Sequence, residues 1–326
     1  GGIRSTVAWH GYCSGMGDCP PGTYVAVDGT RLHVDERGTA DAPPLLYLHG
    51  GPGQGCFDFM TCQGDRLAKD LRVIGVDQRG VLFSDPLPDD ASLTEDQLVD
   101  DFEALREALG IERWAILGHS FGARLALRYA ARHPETVTTA IFDCPPWDHA
   151  YGMPYMLELA LPMLAELGQT KAVEEVRAII ADPPVLDHAT WQRRMAVLGA
   201  LGDRRDELYI KRTDLIAQPG GPFPSAAVDE TYHERGSRHS EAVTKSASFA
   251  ESLLPLLPRV EQPALLIRGG SDPVTSPTEI ARFRAEVPRG WVEVFEASAH
   301  FVQLEEPERY ADTVRGFVAG DRPERT

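Results

Sequence analysis

The spacing of apolar residues changes character along the chain. Around Asp28-Gly29, "TYVAVDGTRLHVDERG" alternates apolar and polar residues on both sides of a two-residue turn signal, which predicts a β-hairpin. From Pro44 onward short unbroken apolar runs take over: "LLYLHG", "RVIGVDQRG", "WAILGHS", "TTAIFDCPP", then "PALLIRGGSDP" and "WVEVFEASAH". Such runs, separated by stretches of helical period, predict a mainly parallel sheet covered on both faces by helices.

The helix between the second and third runs is well marked. Thr94 and Gln97 form a capping-box pattern, Leu98, Phe102, Leu105 and Leu109 recur on one face, and Gly110 ends it. A last helix is predicted from Pro307, with Tyr310, Val314 and Phe317 on one side. Between Trp147 and Leu257 the strand rhythm stops. "YMLELALPMLAEL", "KAVEEVRAII" and "TWQRRMAVLGAL" have helical spacing, and "AQPGGPFPS" reads as a loop. The expected organisation is an irregular arm over residues 1–22, an α/β core over 23–146 and 258–326, and a helical cap over 147–257, inserted after the sixth strand.

Composition narrows the classes of partner. The chain has 326 residues, 43% of them hydrophobic, enough for one large core, and a formal charge of -17. That charge argues against nucleic acid, because phosphate contacts need accumulated Lys and Arg. No apolar run is long enough for a membrane span, so the chain is expected to be soluble and cytoplasmic. It starts Gly1-Gly2, which is compatible with a removed signal peptide. Five cysteines are expected as free structural thiols, with one local disulfide, Cys13–Cys19 or Cys56–Cys62, as the other arrangement. Without HExxH, P-loop or GxGxxG patterns, no metal and no cofactor are expected.

The candidate chemistry centres on Gly118-His119-Ser120-Phe121-Gly122. It fits G-x-S-x-G with an apolar strand before it and a small-residue helix, Ala123 to Ala131, after it. A sharp strand-to-helix turn would expose the Ser120 hydroxyl, and glycines would let the backbones approach. A serine hydroxyl needs a base, and His300 closes the last predicted strand. Asp272, after the preceding strand, would orient the imidazole. Asp143, one strand earlier, is the rival, because some relatives of this architecture place the acid there. The backbone N–H of Phe121 and that of Gly51, in the glycine loop "LHGGPGQG", are the candidate oxyanion donors.

With these residues in view, the chain resembles the proline iminopeptidase family of the α/β-hydrolase fold. The marks are His49-Gly50-Gly51-Pro52-Gly53, Asp77-Gln78-Arg79-Gly80 and the Gly118 to Gly122 elbow. Val81-Leu82-Phe83-Ser84 replaces the usual Cys-Gly-x-Ser continuation, and His119 and Phe121 stand where members carry Gly and Trp. The resemblance implies a serine hydrolase that removes an amino-terminal residue and holds the substrate's free α-ammonium on cap carboxylates. Glu230, in Asp229-Glu230 with Tyr232 nearby, and Glu207 are the candidates for that clamp. The implied partner is a peptide or small molecule with a free amino group. An esterase without an amine requirement, and a non-catalytic binding protein on the same scaffold, are the alternatives.

Overall fold

The computed structural model describes residues 22–181 and 186–323. The predicted hairpin forms from β1 (Thr23–Val27) and β2 (Thr30–Arg37), with Val27 opposite Thr30. Asp28 and Gly29 both have positive φ, 25° and 75°, as a two-residue turn that matches strand twist requires. The six apolar runs become β3 (Pro44–Leu48), β4 (Arg72–Val76), β5 (Trp114–His119), β6 (Val137–Asp143), β7 (Ala264–Gly269) and β8 (Gly290–Phe295). The sheet order is β1-β2-β4-β3-β5-β6-β7-β8, antiparallel through the hairpin and parallel from β4 to β8.

Alternation within each strand explains how unbroken apolar runs serve two cores. Leu46, Ile74, Ile116 and Phe142 pack on one face, and Leu45, Val73, Leu117 and Ile141 on the other. β8 differs from the buried run expected of it, because Gly290 to Val294 are only partly buried. Among the described residues it is an edge strand paired with β7 alone, and it carries Glu293 where a central strand would carry an apolar residue.

Helices α1 (Glu95–Ala108) and α2 (Phe121–Arg132) pack with the first face. Thr94 caps α1 by accepting the Gln97 N–H at 3.1 Å. Between β6 and β7 come α3 (His149–Glu166), α4 (Thr170–Ala181), α5 (His188–Gly199) and α6 (Glu230–Thr244). Leu157, Leu164, Val176, Ile179, Leu198 and Leu208 give this insertion its own apolar centre. The helix α6 was not legible in sequence, because only Gly236, His239, Val243 and Thr244 are buried along it. Then α7 (Pro277–Glu286) joins the first face, and α8 (Pro307–Ala319) covers the second with Tyr310, Val314 and Phe317. No helix among the described residues is long and apolar enough to cross a membrane.

The insertion is tied to the core at its two ends. The Leu253 N–H donates to the Trp147 carbonyl at 2.9 Å, so the chain leaves and returns at one point. Arg124, fully buried on α2, sends its Nε to Glu95 at 2.8 Å and its Nη1 to the carbonyls of Pro146 and Trp147 at 3.0 and 3.1 Å. Its Nη2 reaches the carbonyls of Ser248, Phe249 and Glu251.

Candidate active site

Ser120 stands alone at the corner between the end of β5 and the start of α2, with φ 52° and ψ -121°. Non-glycine residues rarely hold such a backbone unless their surroundings enforce it. The Ser120 N–H donates to the Asp143 carbonyl at 2.8 Å, and the flanking glycines let two backbones touch. A Cβ on Gly118 would overlap the Gly122 carbonyl, and one on Gly122 would overlap the Leu48 carbonyl. Both glycines of the motif are therefore steric requirements of the turn.

His300 lies in the loop after β8, and its Nδ1 sits 2.8 Å from Asp272 Oδ1. A carboxylate can only accept there, so Nδ1 carries the proton and Nε2 is the basic nitrogen. Asp272 is fully buried, and its second role is to accept the amides of Val274 and Thr275, each at 3.0 Å. Burial alone would raise its carboxyl, yet the His300 contact and these amides together hold it below the ordinary carboxylate range. Burial pushes the His300 imidazole below its ordinary value, against the opposing pull of Asp272.

Asp143, the rival acid, is occupied elsewhere. Its Oδ2 accepts from His119 Nδ1 at 3.0 Å and from the Tyr310 hydroxyl at 2.9 Å. The acid one strand earlier thus supports the turn from beneath, through its own carbonyl and through His119, while Asp272 takes the imidazole.

The glycine loop is braced by the second motif. His49 donates from Nδ1 to the Gly50 carbonyl at 2.9 Å and accepts the Gln78 N–H on Nε2 at 3.1 Å. Gln78 Nε2 also donates to the His49 carbonyl at 3.1 Å. Asp77 accepts the Cys56 N–H at 2.8 Å and faces His33 at 3.0 Å, and Arg79 pairs with Asp101 at 2.7 Å. Gly53 meets Gly236 of α6 backbone to backbone, since a Cβ on either would overlap the other's carbonyl.

Ser120, His300, Phe121 and Gly51 line one cavity of about 310 Å³. Phe121 is the first residue of α2, so its N–H has no partner within the helix. The cap carboxylates expected to share the cavity do not. Glu230 is exposed at the start of α6, where Asp229 caps the helix through Thr231, and it is not among the lining residues. Glu207 is exposed and bound to Arg204 at 2.9 Å, outside the cavity. A short helix spans Asp206–Tyr209 and turns neighbouring side chains about 100° apart, which places Asp206 on the cavity wall and Glu207 outside.

Asp206 is the carboxylate that lines the cavity among the described residues, and no ion-pair partner holds it there. Its segment is fixed to the histidine loop. The His300 N–H donates to the Tyr209 carbonyl at 2.9 Å. Glu305, buried, accepts the Lys211 and Arg212 amides on Oε1 at 2.6 and 3.0 Å and the Ala299 amide on Oε2 at 2.6 Å.

Cys56, Cys62 and Cys144 are free thiols, so Cys56–Cys62 is not a disulfide, while Cys13 and Cys19 lie outside the described residues. Two buried groups bring ligand atoms within 4.8 Å of one another: His33, Cys56 and Asp77, and Cys144, Asp272 and His300. In each the imidazole and carboxylate are already paired, and burial pushes both thiols well up.

The model of the alpha/beta hydrolase fold family matches residues 43–307. A proline iminopeptidase of Heyndrickxia coagulans is 27% identical over 90% of this chain and 97% of its own length. A proline iminopeptidase of Xylella fastidiosa is 42% identical, but the match spans 35% of this chain and only 36% of that relative. The crystal structure of proline iminopeptidase from Mycobacterium smegmatis superposes with a TM-score of 0.67 at 24% identity, covering 91% of this chain and 97% of the other. The chain belongs to the α/β-hydrolase family, with proline iminopeptidases among its relatives.

Proposed function

We propose that this protein is a serine hydrolase that removes an aminoacyl group from an amide nitrogen. The observation that carries the reading is one cavity holding a strained serine, an imidazole paired to a buried carboxylate, and the unpaired Asp206. The Ser120 hydroxyl attacks the scissile carbonyl while His300 Nε2 takes its proton. Asp272 keeps the proton on Nδ1 and stabilises the imidazolium. The Phe121 and Gly51 amides receive the oxyanion as charge develops, a contribution of about 10²–10³ in rate per donor. His300 then protonates the leaving nitrogen, and water repeats the sequence in reverse to free the amino acid and Ser120.

The substrate's α-ammonium lies beside the carbonyl under attack, so its counter-charge must hold a fixed distance from the base. Asp206 meets this requirement, because Tyr209 and Glu305 bind its segment to the His300 loop. Asp206→Asn is expected to lower kcat/KM for a free aminoacyl arylamide by about tenfold, as a charge-assisted hydrogen bond at a partly open site is worth roughly 1–2 kcal/mol. The preference over the N-acetylated compound should shrink by the same factor, while Glu207→Gln and Glu230→Gln keep it. An esterase that ignores the amine would cleave free and acetylated substrates alike in every variant.

The pH profile follows from His300. Only the neutral imidazole can take the Ser120 proton, and burial favours that neutral form. Activity should therefore be lost as pH falls through a midpoint below about 6.5, the ordinary imidazole value. A kcat/KM profile with its acid limb centred above pH 7 would contradict this assignment of the base.

A further inference from the structure

Facing Ser120 across the cavity, the cap contributes Met153 and Met156 from α3, Trp191 and Met195 from α5, and Phe223 and Phe249 from the segments that follow. Polar groups on these walls are few: beside Asp206 and Arg205 at one end, the described cap residues contribute the Tyr209 hydroxyl and His149, whose buried Nε2 has no hydrogen-bond partner. The Tyr209 hydroxyl points to Met156 Sδ at 3.4 Å, and the His149 ring packs against Phe249 and Trp191, with centroids 4.6 and 5.4 Å away. Burial keeps that imidazole neutral. From the sheet, only His119 lines the cavity, so no strand edge is offered along which a peptide could pair.

We infer that the amide cleaved here joins the amino acid to a bulky apolar amine, aryl or alkyl, rather than to a peptide. The inference rests on the proposed function and specifies the half of the substrate that reading leaves open. Each peptide residue beyond the scissile bond brings an N–H and a C=O, and each one buried without a partner costs about 1–3 kcal/mol. An apolar amine has no such groups and gains roughly 25 cal/mol per Å² buried. The volume also exceeds what a small amino acid needs, being about ten times the ~30 Å³ that one water occupies in the liquid. Methionine side chains adapt to irregular apolar shapes, and three of them line this cavity.

The test holds the amino acid constant, choosing the one that aminoacyl β-naphthylamides select, and varies the amine. The naphthylamide and the decylamide are compared with two peptides of similar heavy-atom count, all with free amino termini. The expected result is a kcat/KM at least tenfold higher for both apolar amides. Met195→Gln, with folding checked by its thermal midpoint, should cut that ratio severalfold. Peptides cleaved as well as the apolar amides, or better, overturn the inference. If free and N-acetylated naphthylamides are then still discriminated, only the amine half is wrong. If discrimination is absent too, the aminoacyl reading falls with it.

Discussion

Ser120→Ala is expected to lower kcat for a free aminoacyl arylamide by about 10⁴-fold or more, with little change in KM. The residual rate comes from binding and from the oxyanion donors, which the substitution leaves in place. The wild-type protein should be labelled by a fluorophosphonate at Ser120, and the variant should not. His300→Ala should cost about as much, and the double variant hardly more than either single one, because nucleophile and base act as a unit. Full turnover by the alanine variant would rule out the serine mechanism. Strain does not complicate the comparison, because the positive φ at Ser120 is imposed by the surrounding turn and alanine inherits it.

The largest effect on stability is expected at Arg124. Arg124→Met keeps most of the buried volume but leaves Glu95 with Arg128 alone and strips five carbonyls of a donor. Removing one member of a buried ion pair typically costs about 3–5 kcal/mol, much of it from the charge left behind. Urea unfolding should therefore show a loss of that order, with Arg124→Lys intermediate, since an ammonium cannot reproduce the planar fork. Glu95→Gln combined with Arg124→Met should recover part of the loss, because the buried carboxylate that lost one of its two cations is then neutral. An unchanged midpoint for Arg124→Met would mean that the cap ends are held by their apolar contacts instead.

How much of this was legible in the sequence depended on the distance over which each feature is determined. The hairpin, the buried strands and the elbow are written within a few residues of one another, because turn sterics and alternation are local rules. Asp272 and His300 could be found because each follows a strand whose apolar run is visible. Of the adjacent carboxylates Asp206 and Glu207, Glu207 was the sequence candidate, whereas Asp206 is the one that lines the cavity. Acidity marked the stretch, but both carboxylates are exposed and only the phase of the short helix decides which of them borders the cavity. The exposed position of Glu230, outside the cavity, was hidden because α6 carries few apolar residues to mark its faces. Arg124 had no signal at all: its partners lie 22 to 127 residues away.

The carboxylate of Glu305 ties the segment after Tyr209 to the loop that carries His300. One oxygen holds the amides that follow Tyr209 and the other holds the amide before His300. Separating the two segments while Glu305 stays buried would leave one oxygen without its donors, which costs about 1–3 kcal/mol, and more for a charged group. A ligand that steadies the Asp206 segment is therefore expected to steady the His300 loop through the same carboxylate. One buried carboxylate thus serves as the common anchor for the base and for the wall beside it.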